Sequence, residues 1–227
     1  DTLKTVPRFK TLYNIGSVLA SGYYEFPNFD FGPVFSTFGF NEAEGLRIRA
    51  GGRTYFGRND PWRLEGFGAY GFRDERFKFG ISGKWLLDRR SRFIIFGGHR
   101  KDTEQTGASL TNTNDVLGRN LASSALITVG ANDKLTRINL STFGFELEPY
   151  KNLITRSIVS YRTLSSATQT FSIDYFDAEG NVQSEVQQAE IATGLFFTPG
   201  RKTSGYGVER TVINEGSFPS IFAGVTL

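Results

Sequence analysis

The chain contains no cysteine and no methionine, and histidine occurs once in 227 residues. The missing cysteine excludes disulfides, Cys-ligated zinc and thiol catalysis. No run of eighteen or more apolar residues occurs, so no helix of the sequence has the length and polarity to cross a bilayer. A β-barrel stays open, because its spans need only about 9–11 residues of alternating character. Excess charge of one sign is missing too. Lys plus Arg number 26 against 23 Asp plus Glu, a formal net charge of +3, and both signs are scattered along the chain. A nucleic-acid surface concentrates its basic residues in one patch, so no nucleic-acid partner is expected. No secretory leader opens the chain, since the polar TLKTVPRFK follows Asp1 at once. The expectation is a mature chain or a piece of a longer one.

What is abundant is glycine (26) and aromatic residues, with 22 Phe, 9 Tyr and 2 Trp, while hydrophobic residues together reach only 39%. That balance fits many short strands separated by Gly turns better than a thick soluble core. Residues 31–72 display the pattern most clearly. Leu46, Ile48, Ala50 and Thr54 fall on one side of an extended chain, and Arg47, Arg49 and Arg53 on the other. Successive side chains of a strand point to opposite faces, so one face is apolar and the other carries three guanidinium groups. After the GRNDP turn, residues 62–72 set Leu64, Tyr70 and Phe72 against Arg63 and Glu65. Residues 77–87 set Phe77, Phe79, Ile81, Trp85 and Leu87 against Lys78, Ser82 and Lys84. Turns of about four residues join these segments, which makes an antiparallel meander.

The same reading extends along the chain and gives about a dozen strands in an all-β fold. A first strand is expected over residues 11–26 and another over 34–40. Residues 92–100 form a further strand, and the polar 101–120 reads as a long loop with a short helix within 114–124. Strands resume at 125–129, 135–149, 153–164, 168–176, 186–198, 208–213 and 218–227. The last of these ends the chain inside a strand-like run, so the natural protein is expected to continue.

The two possible surroundings of the apolar face divide the functional readings. In a soluble sandwich or lipocalin-like barrel that face meets a core; in a membrane barrel it meets lipid and the charged face lines a lumen. Aromatic residues sit at strand ends (Tyr23, Tyr24, Phe26; Tyr55, Phe56; Phe72; Phe77; Tyr175, Phe176; Phe196, Phe197). Interface girdles require that placement, and a soluble barrel explains it poorly. The charges of the polar face also balance, with Arg47, Arg49, Arg53, Arg63 and Lys84 against Glu65, Glu146, Glu148 and Glu190. A closed lumen needs such pairing, because an unpaired buried charge is costly. The expected architecture is therefore an antiparallel transmembrane β-barrel over residues 1–227, whole or part of a larger barrel.

Three blocks carry a resemblance: NEAEGLR (residues 41–47), AYGFRDERFKFG (69–80) and the terminal FPSIFAGVTL. Together with the segments around them they resemble the barrel portion of the DUF5686 proteins of Bacteroidota, over nearly the whole chain from about residue 11. The resemblance implies an outer-membrane barrel of the Omp85 type, without the N-terminal β-sandwich that the family usually carries. It also implies a structural or accessory role in outer-membrane protein assembly or transport, with outer-membrane lipid, lipopolysaccharide and other outer-membrane or lipoprotein subunits as partners. The arginine-glycine-aromatic signature of the insertases is not recognisable here. A passive solute pore and a soluble ligand-binding barrel are the alternatives.

No catalytic motif is present: no G-x-S-x-G, no H-E-x-x-H and no Gly-rich phosphate loop before a helix. His99, beside Arg100 and Lys101, reads as structural or exposed, with a membrane-embedded hydrolase built on it as a third alternative. The DYFDAEGN segment (174–181) offers Asp174, Asp177, Glu179 and Asn181, yet lacks EF-hand spacing and reads as a hairpin turn. The expectation is no enzyme, no metal and no cofactor. The candidate site is a lumen charge network of Arg47, Arg49, Arg53, Arg63, Glu65 and Lys84, either structural or anion-binding, with Glu44 and Glu65 as nearby acidic partners.

Overall fold

The computed structural model describes residues 11–12, 15–16, 18–19, 21–57, 59–106, 134–168, 170–216 and 219–227. Its strands are β1 (Tyr24–Phe26), β2 (Asn28–Phe31), β3 (Phe38–Asn41), β4 (Gly45–Tyr55), β5 (Trp62–Gly71), β6 (Arg76–Asp88), β7 (Phe93–Gln105) and β8 (Leu135–Tyr150). They continue with β9 (Leu153–Ser166), β10 (Tyr175–Phe176), β11 (Val182–Gln183), β12 (Glu185–Phe197), β13 (Lys202–Ser204), β14 (Thr211–Asn214) and β15 (Ile221–Thr226). Eleven of them form one antiparallel sheet in the order β1-β2-β4-β5-β6-β7-β8-β9-β12-β15, with β3 also paired to β4. The remaining four make two small hairpins, β10-β11 and β13-β14. The antiparallel meander expected over the first half of the chain stands as β4 to β7.

The sheet is not a closed barrel. Among the described residues no pairing joins β15 back to β1, so the strands form an open, curled wall with two free edges. Other boundaries also depart from expectation. Residues 11, 12, 15, 16, 18, 19 and 21 are helical, and among the described residues of the expected first strand Tyr24–Phe26 alone form a strand. Residues 34–36 form a 3-10 turn before β3. Residues 101–105, expected to open a loop, complete β7 by pairing with β8 from Lys101↔Asn139 to Gln105↔Leu135. Among the described residues of the strand expected over 168–176, Tyr175–Phe176 alone form a strand, and β14 starts at Thr211. The helix expected within 114–124 and the strand at 125–129 lie outside the described residues.

The sheet's two faces are inverted relative to a soluble fold. Along β4 the arginines are buried and their apolar neighbours exposed: Arg47 and Arg49 are 2% and 3% accessible, Leu46 and Ile48 45% and 39%. On β5, Arg63, Glu65, Phe67 and Ala69 point inward, while Trp62, Leu64 and Tyr70 point out. Register carries the scheme from strand to strand. One outward row, Leu64–Gly83–Gly97–Phe143–Val159–Ile191, crosses six strands without a polar side chain. The concave face is not purely charged, since Phe67, Phe96, Leu140 and Ile158 are buried on it. At its centre the Phe96 ring lies against Gly144, where a Cβ would sit 2.7 Å from Phe96 Cζ and 2.4 Å from the Ser157 carbonyl oxygen. Arg156 covers the same ring at 4.5 Å. Any side chain at position 144 displaces that stack.

Two rims follow from the topology. The near rim holds the turns at residues 42–44 and 72–75 and the segments 167–168 and 170–184. The far rim holds 56–57, 59–61, 89–92, 151–152, 198–216 and 219–220. Its tightest turn joins β8 to β9 through Asn152, at φ +67°. Asparagine tolerates that left-handed region, whereas a β-branched residue there costs about 1–2 kcal/mol. Asn152→Gly is expected to leave stability nearly unchanged and Asn152→Val to lower it by about 1–2 kcal/mol. Denaturant unfolding of both variants checks this, and equal stability would show that the turn does not constrain the β8–β9 pair.

Candidate functional site

Two charged clusters occupy the concave face, one at each rim. The near-rim cluster starts from the β3–β4 turn. There Asn41 accepts the Glu44 backbone N–H at 2.8 Å and donates its amide to the Glu44 carboxylate at 2.6 Å. This fixes Glu44, which is completely buried, between Arg47 at 3.1 Å and Lys78 at 2.6 Å. Arg47 reaches across to Asp102 on β7 at 2.6 Å, and Lys78 also binds Asp74 at 2.8 Å. Arg100 joins Glu104 at 2.6 Å and lies 4.0 Å from Asp102. The cluster ties β4, β6 and β7 together through alternating charges.

The far-rim cluster depends on a segment distant in sequence. Residues 198–220 connect β12 to β15, and their middle folds back against the sheet. Val208 is buried with Leu86 and Ile94, and its N–H donates to the Asp60 carbonyl at 2.7 Å. Arg92 donates to the carbonyls of Gly207 and Val208 at 2.9 and 3.2 Å. Glu209 then pairs with Arg63 and, at 3.5 Å, with Lys84, while Arg210 pairs with Glu148. A pocket of about 400 Å³ remains between this segment and Arg53, Tyr55 and Arg63.

The six candidate residues therefore do not make one network. Arg47 belongs to the near rim, with Glu44 as expected and Asp102 in addition. Arg49 lies buried over the Phe67 ring at 3.8 Å. Arg53 pairs with Asp30 at 3.0 Å and stacks on Tyr23 at 4.1 Å, so Tyr23 is a buried residue and no part of an exposed girdle. Glu65 is buried opposite Arg53 in the β4–β5 register. Arg63 and Lys84 share Glu209, Lys84 being half exposed. Asp30, Asp74, Arg100, Asp102, Glu104 and Glu209 were not anticipated in these roles. For Arg100, Asp102 and Glu104 a signal existed, since their spacing of two continues the inward face of β7. It was masked because Lys101 and Thr103 on the opposite face are polar too.

His99 faces outward, with Nδ1 3.0 Å from Ser141 Oγ and the Phe79 ring 5.7 Å away. Among the described residues no carboxylate bonds to His99 to complete a triad. Asp177 is spent on its own hairpin: it accepts from the backbone N–H groups of Asn181 (2.7 Å) and Glu179 (3.1 Å) and from the Gln183 side chain (2.9 Å). Among the described residues no group of three or more acidic or histidine side chains could hold a metal ion.

Comparison with known proteins adds nothing to this geometry: no family model matches the chain, and no curated protein or solved structure is significantly similar to it.

Two predictions follow from the pairing. Removing one member of a buried pair strands the other, at a cost of about 3–5 kcal/mol, whereas exposed pairs are worth about 0–1 kcal/mol. Asp102→Ala is thus expected to destabilise by about 3–5 kcal/mol, and Glu215→Ala, which removes the exposed partner of Arg201, by less than about 1 kcal/mol. Urea unfolding measures both, and equal losses would refute the buried network. The second concerns pH. The hydrogen bond from Gln183, then that from the Asn181 backbone, hold the Asp177 carboxyl below the ordinary carboxylate range. A depressed folded pKa means the hairpin gains stability at pH above the ordinary value and loses it as pH falls through the lowered one. NMR titration of the Gln183 side-chain amide is expected to show that low midpoint, and Gln183→Ala to move the Asp177 midpoint upward. An unmoved midpoint refutes the assignment.

Proposed function

We propose that this sheet is the wall of a transmembrane β-barrel in the outer membrane of a Gram-negative bacterium. In the Omp85-like type that the sequence resembles, it would serve a structural or accessory role in assembling or transporting outer-membrane components. The observation that carries this reading is the inversion of the two faces. Large apolar side chains cover the outward face, and the inward face holds fully buried arginines, lysine and carboxylates paired with one another. A soluble monomer rarely exposes an apolar patch beyond a few hundred Å². Here the uninterrupted outward row alone spans roughly 24 Å of sheet at about 4.8 Å per strand.

Height agrees as well. The outward residues of β6 run from Phe77 to Leu87, roughly 34 Å along a strand at about 3.4 Å per residue. Inclined by about 40°, that run rises about 26 Å, against the apolar band of about 25 Å in outer-membrane barrels. Aromatic pairs mark its two borders: Tyr70–Phe72 and Phe77–Phe79 toward the near rim, Phe56–Trp62 and Phe93–Phe145 toward the far rim. The Nε groups of Arg47, Arg63, Arg100 and Arg162 have no protein acceptor. Individual ordered waters satisfy such isolated donors even in a lumen that bulk water reaches poorly. Lipid also demands that every backbone group be paired, so the membrane form has the free edges of β1 and β15 joined to each other or to further strands. A wide passive pore is disfavoured by the segment 204–213, which lies against the concave face.

The only two tryptophans, Trp62 and Trp85, are directly paired across β5 and β6 and face outward. Intrinsic fluorescence therefore reports on the wall. After reconstitution of the chain into phosphatidylcholine bilayers, brominated acyl chains are expected to quench most of the emission and aqueous iodide to quench little. Strong iodide quenching with no effect of bromine would refute the membrane reading.

A further inference from the structure

Above the apolar band the outward face changes character on β7, β8 and β9. The row His99–Ser141–Tyr161 borders it, followed by Lys101–Asn139–Thr163 and then Thr103–Arg137–Ser165. At this height β6 separates from its neighbour: its pairing with β7 ends at Phe79↔Lys101, whereas β7 runs on to Gln105. The notch so formed is a pocket of about 250 Å³ at the near rim, with Phe77 on its border.

Three cations line the notch without an acidic partner within ion-pair distance among the described residues. Among the described residues Arg76 and Lys101 make no side-chain hydrogen bond, and Arg137 makes one, to the Ala167 carbonyl at 3.4 Å. Arg76 and Arg137 are moreover like charges within electrostatic range of each other, a repulsion that Asp74 offsets only in part. Of the acidic residues lining the pocket, Asp74 is taken by Lys78 and Asp102 by Arg47. That leaves Glu185, which accepts from Gln187 at 3.3 Å. The lining as a whole carries four cations, Arg76, Lys78, Lys101 and Arg137, against three carboxylates, Asp74, Asp102 and Glu185, a positive surplus that an anion such as a phosphate monoester, about −1.5 to −2 at neutral pH, would neutralise. Asn139, Thr163 and Ser165 supply amide and hydroxyl donors on the same face.

We propose that this notch binds the phosphate group of a membrane lipid headgroup, in the manner of a phosphorylated glycolipid whose acyl chains lie along Phe77, Phe79 and Ile81. The proposal rests on the membrane reading above. It differs from the lumen arginines, whose partners are already in place. Lipid-borne and free phosphate share the chemistry; the position at the upper edge of the apolar band favours the lipid-borne form, because only a ligand anchored in the bilayer is delivered there.

The test uses the full chain in phosphatidylcholine nanodiscs doped with diphosphorylated lipid A, with dephosphorylated lipid A and inorganic phosphate as controls. Retention is read by native mass spectrometry after release from the disc. The expected result is retention of the phosphorylated lipid alone, about tenfold weaker for each of Lys101→Gln and Arg137→Gln, since a hydrogen bond to a charged group is lost each time. Both side chains face outward, so the variants are expected to keep wild-type circular dichroism. If either fails to fold, the comparison of phosphorylated with dephosphorylated lipid on the wild-type chain decides. Equal retention of the two lipids, unchanged retention in the variants, or equal binding of inorganic phosphate overturns the site. Bromine quenching of Trp62 and Trp85 in the same discs separates the two claims. Quenching without selective retention leaves the barrel standing and removes the notch; no quenching removes both.

Discussion

Everything in this fold depends on neutralising charge on a face that water reaches poorly. Arg47 is 2% exposed and Glu44 completely buried. Isolated charges so placed would cost several kcal/mol each, even after relaxation. They are tolerated because each is met by an opposite charge from a neighbouring strand or the adjoining turn: Glu44 between Arg47 and Lys78, Asp102 between Arg47 and Arg100. Since a slip of one residue moves every side chain to the other face, this pairing also locks register. A slipped β4 would turn Arg47 and Arg49 outward and Leu46 and Ile48 into the charged face. Register and charge balance are one constraint.

That constraint explains which parts of the fold the sequence made legible. The wall from β4 to β6 could be read because its faces differ sharply: Leu, Ile, Phe and Trp alternate with Arg, Glu and Lys, and contrast is what a period of two needs to be visible. Where contrast fades, so does the reading. Lys101–Gln105 is as regular a strand as any, but its outward Lys101 and Thr103 are as polar as its inward Asp102 and Glu104. The N-terminal stretch was mistaken in the opposite direction, since its mixture of Leu, Ile, Val and Tyr suits a strand as well as the helical conformation found at residues 11, 12, 15, 16, 18, 19 and 21.

The candidate site was legible only in part, for a related reason. Spacing identifies which charges share a face, not which ones meet. Glu44 lies three residues from Arg47 and could be anticipated as its partner; Asp102 lies 55 residues away and Glu209 lies 146 residues from Arg63. Only the register of four strands, β4 to β7, brings the first together, and only the return of the segment between β12 and β15 brings the second. Expecting Arg47, Arg49, Arg53, Arg63, Glu65 and Lys84 to form one row was reasonable along β4 and β5. It overlooked that neighbouring strands and loops supply their own carboxylates and divide the row between two rims.

The division makes the two rims unlike in kind. At the near rim most links are short in sequence, Glu44 to Arg47, Asp74 to Lys78 and Arg100 to Glu104, so those contacts form as soon as β4, β6 and β7 exist. At the far rim the cations of β5 and β6 have their carboxylate on a separate segment. Arg63 is 5% exposed, and without Glu209 it would be a buried charge lacking its ion-pair partner. Glu148 is likewise held against Arg210 of the same segment. Apolar contact reinforces the link, because Val208 fills the space over Leu86 and Ile94. The returning segment is therefore not a loop resting on a finished wall. It completes the charge balance and the packing of the wall at that rim, and the wall in turn fixes its path, through the Asp60 carbonyl and the two hydrogen bonds from Arg92.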